Sequence, residues 1–364
     1  MDLTKFLTGA LAEIDQKNLR RRLPDWRNID AGFSRNTYLG NHFGASGSRL
    51  ISGNHRLYAR LEKKLALWKK TAAALVYPTG YMTNLGVVSA LLGKGDLVIL
   101  DKLCHASLID GARLSQADLR VFKHNQPADL EKLLRQSAAY PKILVVTEGV
   151  FSMDGDRAPL SELTALRKKY GFWLLVDEAH AVGALGRRGE GLAGQLGVAQ
   201  DIDISIGTFS KALDSLGGYV CGSRPLIDYL INRSRAFIYT TALPKIILQK
   251  NLANLQKIQR QNPRKKLWRN IAYFSTRLGV KADSAIIPLL IGAEKKALAL
   301  AEKLRVGGFA VPAIRYPTVP YGQARLRFTI SAETTKKQMD KILEILKNTR
   351  PTIRPVPDPR KSNC

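Results

Sequence analysis

The sequence predicts an α/β fold: a mainly parallel sheet covered by helices on both faces, followed by a smaller α+β C-terminal domain. Three observations carry that expectation. Glycine-bounded apolar runs alternate with helical patterns through the middle of the 364-residue chain. The runs are almost continuously apolar, as strands buried on both faces are, and do not alternate polar with apolar. From about residue 245 the texture changes to basic amphipathic helices interleaved with short apolar runs. The expected divisions are an N-terminal segment at 1–34, a large domain at 35–245, a small domain at 246–350 and a disordered tail at 351–364.

The elements follow in order. "DLVILD" at 96–101 reads as a strand, and "HASLIDGARLS" after it as a helix. "KILVVTEG" at 142–149 is a second strand, leading through a loop to the helical "LSELTALRKKYG". "FWLLVDEAH" at 172–180 and "DIDISIG" at 201–207 supply two more strand ends. Strand followed by helix, repeated, is the pattern of parallel crossovers. Beyond them, "IILQKNLANLQKIQRQ" and "EKKALALAEKLRVGG" read as helices, with "SAIIPLLIG", "AVPAIRYPTVP" and "ARLRFTISA" around them and "ETTKKQMDKILEILKN" as the closing helix. The tail "RPTIRPVPDPRKSNC" is rich in proline and charge, a composition that does not build a core.

Composition excludes several classes of function. Hydrophobic residues make up 45% and charged residues 24%, ordinary for a soluble globular protein. No apolar run approaches the roughly 18 residues that a membrane span needs. The N-terminus, with Asp2, Glu13 and Asp15, lacks the apolar core of a secretory signal and the acid-poor character of a transit peptide. Cys104, Cys221 and Cys364 are odd in number and far apart, which fits neither a disulfide framework nor a zinc site and is expected of reduced thiols in the cytoplasm. The net charge of +27 is the one anomaly. A field of that sign attracts polyanions. No zinc-finger spacing or aromatic nucleic-acid motif accompanies it, so a solvated basic surface outweighs a nucleic-acid role.

In parallel sheets ligands sit beyond the carboxyl ends of the strands. The residues exposed by that rule are His105, Ser152, Asp177, His180 and Lys211, with Thr79 and Gly80 opening a helix in "VYPTGYMTN". Singly, each has a bland reading: a turn aspartate, a core histidine, a serine in a Gly/Asp loop. Together they match the needs of pyridoxal 5'-phosphate. Its aldehyde takes a desolvated lysine, Lys211. Its ring nitrogen stays protonated beside a buried carboxylate, Asp177. Its phosphate suits the Thr208 and Ser210 hydroxyls and the backbone at Gly80, and its ring suits the flat face of His105.

The motifs "NTYLG", "SRLISGNHRLYARLE", "CHASLIDGARLS", "TEGVFSMDGDRAPL", "VDEAHAVGALGRRGEG", "TFSKAL" and "PTVPYGQARLRFTISA" resemble the α-oxoamine synthases. These are fold-type I pyridoxal-phosphate enzymes that condense an amino acid with an acyl thioester and release carbon dioxide. "HASLIDGARLS", "MDGDRAPL", "VDEAHAVG" and "AIRYPTVP" are most similar to the branch that joins L-alanine to a pimeloyl thioester in biotin biosynthesis. The resemblance implies that Lys211 carries the cofactor and acts as base, that Asp177 pairs with the ring nitrogen, and that His105 stacks on the ring. It implies that Ser152 and His180 bond the ring's phenolic oxygen, and that Gly80, Tyr81 and Thr208 lie at the phosphate end. It further implies a homodimer with shared sites, in which Thr240 and Thr241 reach the partner's phosphate. Arg327 would hold the amino acid's carboxylate, and Thr318 and Arg21 or Arg22 would meet the acyl substrate. No metal is implied. An acidic acyl carrier protein as thioester donor would suit the basic surface.

The chain departs from the family pattern at Tyr58, where relatives often carry histidine, at Thr37 in place of aspartate, and at Asp214 in place of glycine. The segment before "ASGSRL" is short, which bears on the acyl entrance. Two other readings stand beside the first: a sister synthase that uses glycine with another acyl thioester, and a non-catalytic basic protein that binds nucleic acid or an acidic partner.

Overall fold

The computed structural model describes residues 2–25, 36, 44–260 and 263–349. Thr37 and the tail at 351–364 lie outside the described residues. The chain divides into two compact units, one of Met1–Gly149 with Ala158–Arg260, the other of Val150–Arg157 with Gln261–Cys364.

The first unit begins with α1 (Leu3–Gln16), α2 (Arg56–Lys69), β1 (Ala73–Tyr77), α3 (Gly80–Leu91), β2 (Leu97–Asp101), α4 (Ala106–Ser115) and β3 (Asp118–Phe122). It continues through α5 (Pro127–Arg135), β4 (Ile143–Glu148), α6 (Leu160–Tyr170), β5 (Trp173–Asp177), α7 (Leu192–Leu196) and β6 (Ile204–Thr208). It ends with β7 (Gly218–Gly222), α8 (Arg224–Arg233), α9 (Arg235–Ile238) and α10 (Lys245–Arg260). The second unit holds α11 (Pro263–Leu278), β8 (Ile286–Gly292), α12 (Glu294–Val306), β9 (Ala313–Ile314), β10 (Ala324–Thr329) and α13 (Lys336–Thr349).

The large sheet has the order β1-β7-β6-β5-β4-β2-β3. Its strands from β3 to β6 pair in parallel, and β7 runs antiparallel to both β6 and β1. All residues of β2, β5 and β6 are buried, because helices cover both faces and leave no polar side. The α1, α3, α4 and α8 side carries one apolar cluster, from Leu7 and Val87 to Leu230. The α2 and α10 side carries another, from Leu61 and Trp68 to Leu255. At the edge, β3 buries only Phe122 fully, so "DLRVF" lacks the apolar continuity that marks the other strands. Glycine sets the spacing in the middle. A Cβ on Gly207 would overlap the Tyr219 ring, and one on Gly218 would overlap Thr83 Oγ1, so α3 packs directly on this part of the sheet.

The division into units falls one helix later than the expected boundary at residue 245. Leu248, Leu252, Leu255 and Ile258 of α10 belong to the apolar cluster of α2, with Leu61 and Leu65. That helix is tied to the first unit by its buried face, which the basic residues on its exposed face disguise in the sequence.

In the second unit, β8, β10 and β9 form an antiparallel sheet, and Phe274 of α11 packs on Phe328 of β10 with ring centroids 5.2 Å apart. Phe274 is fully buried. Phe274→Ala is expected to destabilise this unit by about 3–5 kcal/mol, seen as faster amide exchange across 263–349 than in the parent protein. Unchanged exchange there would show that the ring contributes little to its packing.

Candidate active site

The carboxyl ends of the parallel strands bring Glu148 of β4, Asp177 of β5 and Thr208 of β6 to one edge of the first unit's sheet. Facing them are the first turn of α3 and the start of α4. A cavity of about 250 Å³ opens among these elements. Of the sequence-predicted residues, Lys211, Asp177, His105 and His180 line it, as do Gly80, Tyr81 and Thr208.

Asp177 is buried, and both its oxygens accept hydrogen bonds, Oδ2 from Asn84 Nδ2 at 2.8 Å and Oδ1 from the Ala179 N–H at 2.9 Å. Two N–H donors suit a carboxylate at this position. His105 is the N-cap of α4. Its Nδ1 accepts from the Ser107 N–H at 3.2 Å and lies 2.8 Å from Ser107 Oγ. Glu148, paired in register with Asp177, accepts from the His105 N–H at 2.6 Å. Burial first, and then the Asp177 charge, push the Glu148 carboxyl well above the usual range, against the opposing pull of Lys211.

At the other end of the cavity, Thr79 caps α3 by accepting from the Met82 N–H at 3.1 Å. Thr208 Oγ1 donates to the Gly217 carbonyl at 2.8 Å and lies 2.9 Å from Ser210 Oγ. A Cβ on Gly80 would make van der Waals contact with Thr208 Cβ at 3.4 Å, so the α3 start lies directly against Thr208. Tyr81 donates its hydroxyl to Asp110 at 2.6 Å.

The segment after Asp177 is anchored from behind. Glu178 is fully buried and forms an ion pair with Lys69, itself buried in α2. Its other oxygen accepts from the Ala193 N–H at 2.9 Å, while Lys69 also donates to the Glu190 carbonyl at 2.5 Å. A Cβ on Gly191, where φ is 111°, would overlap the Glu178 carboxylate.

Other expected residues lie elsewhere. Lys211 lines the cavity but on an exposed stretch with Ser210 and Ala212. The desolvated lysine expected from the sequence is not what the single chain provides, because the backbone leaves the buried strand at Thr208 and turns outward. Thr240 Oγ1 contacts Met82 Sδ at 3.9 Å, and Thr241 is exposed. Neither lines the cavity. Arg21 is not a lining residue either: its N–H donates to Asn232 Oδ1 at 2.6 Å and its Nη1 to the Asn232 carbonyl at 3.0 Å. Arg22 is exposed beside it. In the second unit the Ser152 carbonyl accepts from Arg327 Nε at 2.6 Å, Arg327 Nη1 donates to Thr329 Oγ1 at 2.9 Å, and Thr318 is exposed.

Sequence reasoning missed Asn84, Ser107 and Glu148. Glu148 ends the apolar run "KILVVTEG" and was legible by the rule that selected Asp177. Asn84 sits one turn beyond Gly80 on the same helix, and Ser107 two residues beyond His105. Their spacing was visible, but their function depends on which strands are neighbours.

Residues 20–346 match the family model of class I and II aminotransferases. The chain is 42% identical over 312 residues to an 8-amino-7-oxononanoate synthase of Bacillus velezensis, with 84% of this chain and 80% of that one covered. Among solved structures, serine palmitoyltransferase from S. paucimobilis, with a bound pyridoxal phosphate–myriocin aldimine, aligns with a TM-score of 0.81 at 35% identity, covering 87% and 82% of the two chains. The 8-amino-7-oxononanoate synthase of Francisella tularensis aligns at 0.72 and 31%, covering 88% and 95%.

Pyridoxal phosphate fits what the cavity presents. The Asp177 carboxylate, held by two donors, suits a ring nitrogen that must keep its proton. The glycine corner at the start of α3 and the paired hydroxyls of Thr208 and Ser210 suit a phosphate. Burial favours the protonated form of Glu148, which limits the negative charge beside Asp177. That neutrality has a cost that depends on pH. The folded chain binds a proton which the unfolded chain releases near pH 4.5, so the stability associated with it is complete below that pH and is lost as pH rises through the raised folded value. Glu148→Gln removes this dependence. Urea midpoints from pH 4 to 8 are expected to converge with the parent protein at the acid end and to favour the variant increasingly toward the neutral end. A constant offset would mean that Glu148 is ionised in the fold.

Proposed function

We infer the activity from one premise: the chain belongs to the class I and II aminotransferase family. It catalyses the pyridoxal-phosphate-dependent condensation of L-alanine with a pimeloyl thioester, giving 8-amino-7-oxononanoate, carbon dioxide and the free thiol. The observation that carries this reading is the meeting of Lys211, Asp177 and His105 with the glycine and hydroxyl corner on one cavity, in a chain 42% identical to a synthase of that name.

When bound, pyridoxal phosphate supplies an electron-accepting ring that stabilises carbanions at the amino acid's α-carbon. The chain's residues do the rest. Asp177 would accept a hydrogen bond from the ring nitrogen, His105 would cover the ring face, and His180 and Ser152 would orient the phenolic oxygen. Gly80, Tyr81 and Thr208 would hold the phosphate end. Lys211 Nζ would hold the cofactor, and as a free amine would take the α-proton of alanine and return a proton to the same carbon after carbon dioxide leaves. Arg327 pairs with the alanine carboxylate, and Thr318 with Arg21 or Arg22 meets the acyl chain.

The working form is a homodimer with shared sites, in which Thr240 and Thr241 serve the partner's phosphate. The exposure of Lys211 in the single chain supports this, because a Schiff-base lysine works best desolvated. The cytoplasm is the compartment this chemistry suits, and no helix among the described residues is long and apolar enough to cross a membrane. The thioester arrives on an acidic carrier protein, steered by the net charge of +27.

Purified protein is expected to absorb in the visible as a lysine-bound cofactor does, and Lys211→Ala to lose both that band and turnover. Turnover surviving in the variant would overturn the role of the lysine. With alanine, glycine and serine each assayed against pimeloyl, acetyl and palmitoyl thioesters, the alanine–pimeloyl pair is expected to dominate. A preference for serine or glycine would move the chain to a sister activity. For carrier-bound substrate, kcat/KM is expected to fall steeply as ionic strength rises from 0.01 to 0.5 M, because screening shortens the reach of the basic field; a flat response would remove the carrier.

A further inference from the structure

Between the two groups assigned to opposite tasks, His105 and Asp177, runs an unbroken line of hydrogen bonds. Asn84 Nδ2 lies 2.8 Å from Asp177 Oδ2 and 2.9 Å from Ser107 Oγ. Ser107 Oγ lies 2.8 Å from His105 Nδ1, which also accepts from the Ser107 N–H at 3.2 Å. Asn84 and Ser107 both line the cavity, and both are buried.

The direction of every bond in this line is fixed by one end. An amide nitrogen can only donate and a carboxylate can only accept, so Asp177 requires Nδ2 of Asn84 and excludes its carbonyl. The second hydrogen on Nδ2 is then directed at Ser107 Oγ. Having accepted that bond, the Ser107 hydroxyl has its own hydrogen to give, and His105 Nδ1 is the acceptor within reach. The Ser107 N–H, the longer contact at 3.2 Å, favours an unprotonated Nδ1, and the shorter bond from the hydroxyl at 2.8 Å makes that preference firm. The imidazole proton is left on Nε2. The Asn84 carbonyl has no partner among the described residues. An unpaired buried acceptor is unfavourable by itself, which marks the orientation of this amide as set by its two donated bonds.

We propose that Asn84 and Ser107 are positioning residues that lock His105 as its Nε2–H tautomer and link that choice to the Asp177 carboxylate through the shared amide. The histidine thus presents an uncharged ring with a single donor of fixed identity. The roles of His105 and Asp177 belong to the function inferred above; the tautomer is a property of the protein that can be observed apart from turnover.

The test uses holoenzyme labelled with ¹⁵N at histidine, its five imidazoles resolved by comparison with His105→Gln. His105 Nδ1 is expected to give a pyridine-type resonance and Nε2 a pyrrole-type one. In Ser107→Ala and Asn84→Ala the two signals are expected to move toward averaged values, with kcat lowered about tenfold or more, KM for the thioester little changed, and Ser107→Thr restoring the parent spectrum. A protonated Nδ1 in the parent protein overturns the proposal whatever the variants do. So does a parent-like Nδ1 signal in both alanine variants that remain folded by circular dichroism. Failure of the parent protein to turn over any amino acid, with the tautomer as expected, would instead count against the proposed function and leave the lock standing.

Discussion

Two carboxyl groups, side by side at the ends of neighbouring strands, set the constraint on which the rest of the site depends. Glu148 and Asp177 are paired in register, and both are buried. Two charges so placed repel, and burial penalises each, so a stable site must make them different. The structure does so through donors. Asp177 receives a side-chain amide and a backbone N–H, whereas the first influence on Glu148 is desolvation. Burial shifts the Glu148 carboxyl upward, while the Asp177 oxygens are each held by an N–H donor. The parallel sheet is the means, since only neighbouring parallel strands put both residues at the same edge.

The elements around this pair are held by groups that never meet the cavity. Glu178 follows Asp177 immediately and turns to the opposite side, where Lys69 and the Ala193 N–H satisfy it. Alternation along an extended backbone gives adjacent residues opposite faces, so one dipeptide supplies the cavity with an acid and the scaffold with an anchor. The ion pair is costly to break from either side, because a lone buried charge has no compensation. Together with the φ of 111° at Gly191, this ties the loop that carries His180 to α2.

Much of this was legible before any coordinates. The strands β2, β4, β5 and β6 stand out as apolar runs, and the residues at their ends were the right ones to examine. What the sequence hid was of two kinds. β3, "DLRVF", is polar and buries only Phe122 fully, and β7, "GYVCG", forms a strand only because β1 and β6 hydrogen-bond both its edges. Asn84 and Ser107 look like ordinary helix residues, and their partners are distant along the chain: Asn84 meets a residue 93 positions away. Local pattern carries the elements and the strand-end residues, but not the side chains that join them. Asp214 is a smaller case. It stands where glycine is common in the family, and it adopts φ 42°, so the sequence departure leaves the backbone in the region glycine favours.

The position of Lys211 joins these threads. Strand β6 ends at Thr208, whose hydroxyl is tied to Gly217 and Ser210, and the chain then swings the lysine to the open side of the cavity. Its charge is felt by Glu148, so the amine is near the carboxyl pair while remaining exposed. Nearby Tyr81 and Leu216 are exposed as well, at 47% and 44%, and exposed apolar groups around a reactive amine mark a surface that gains by being covered. A second copy of the chain would desolvate the lysine and bury these side chains at once. The shared site of the proposed dimer would meet a need of the lysine's chemistry, since the single chain supplies the charges and leaves Lys211 exposed.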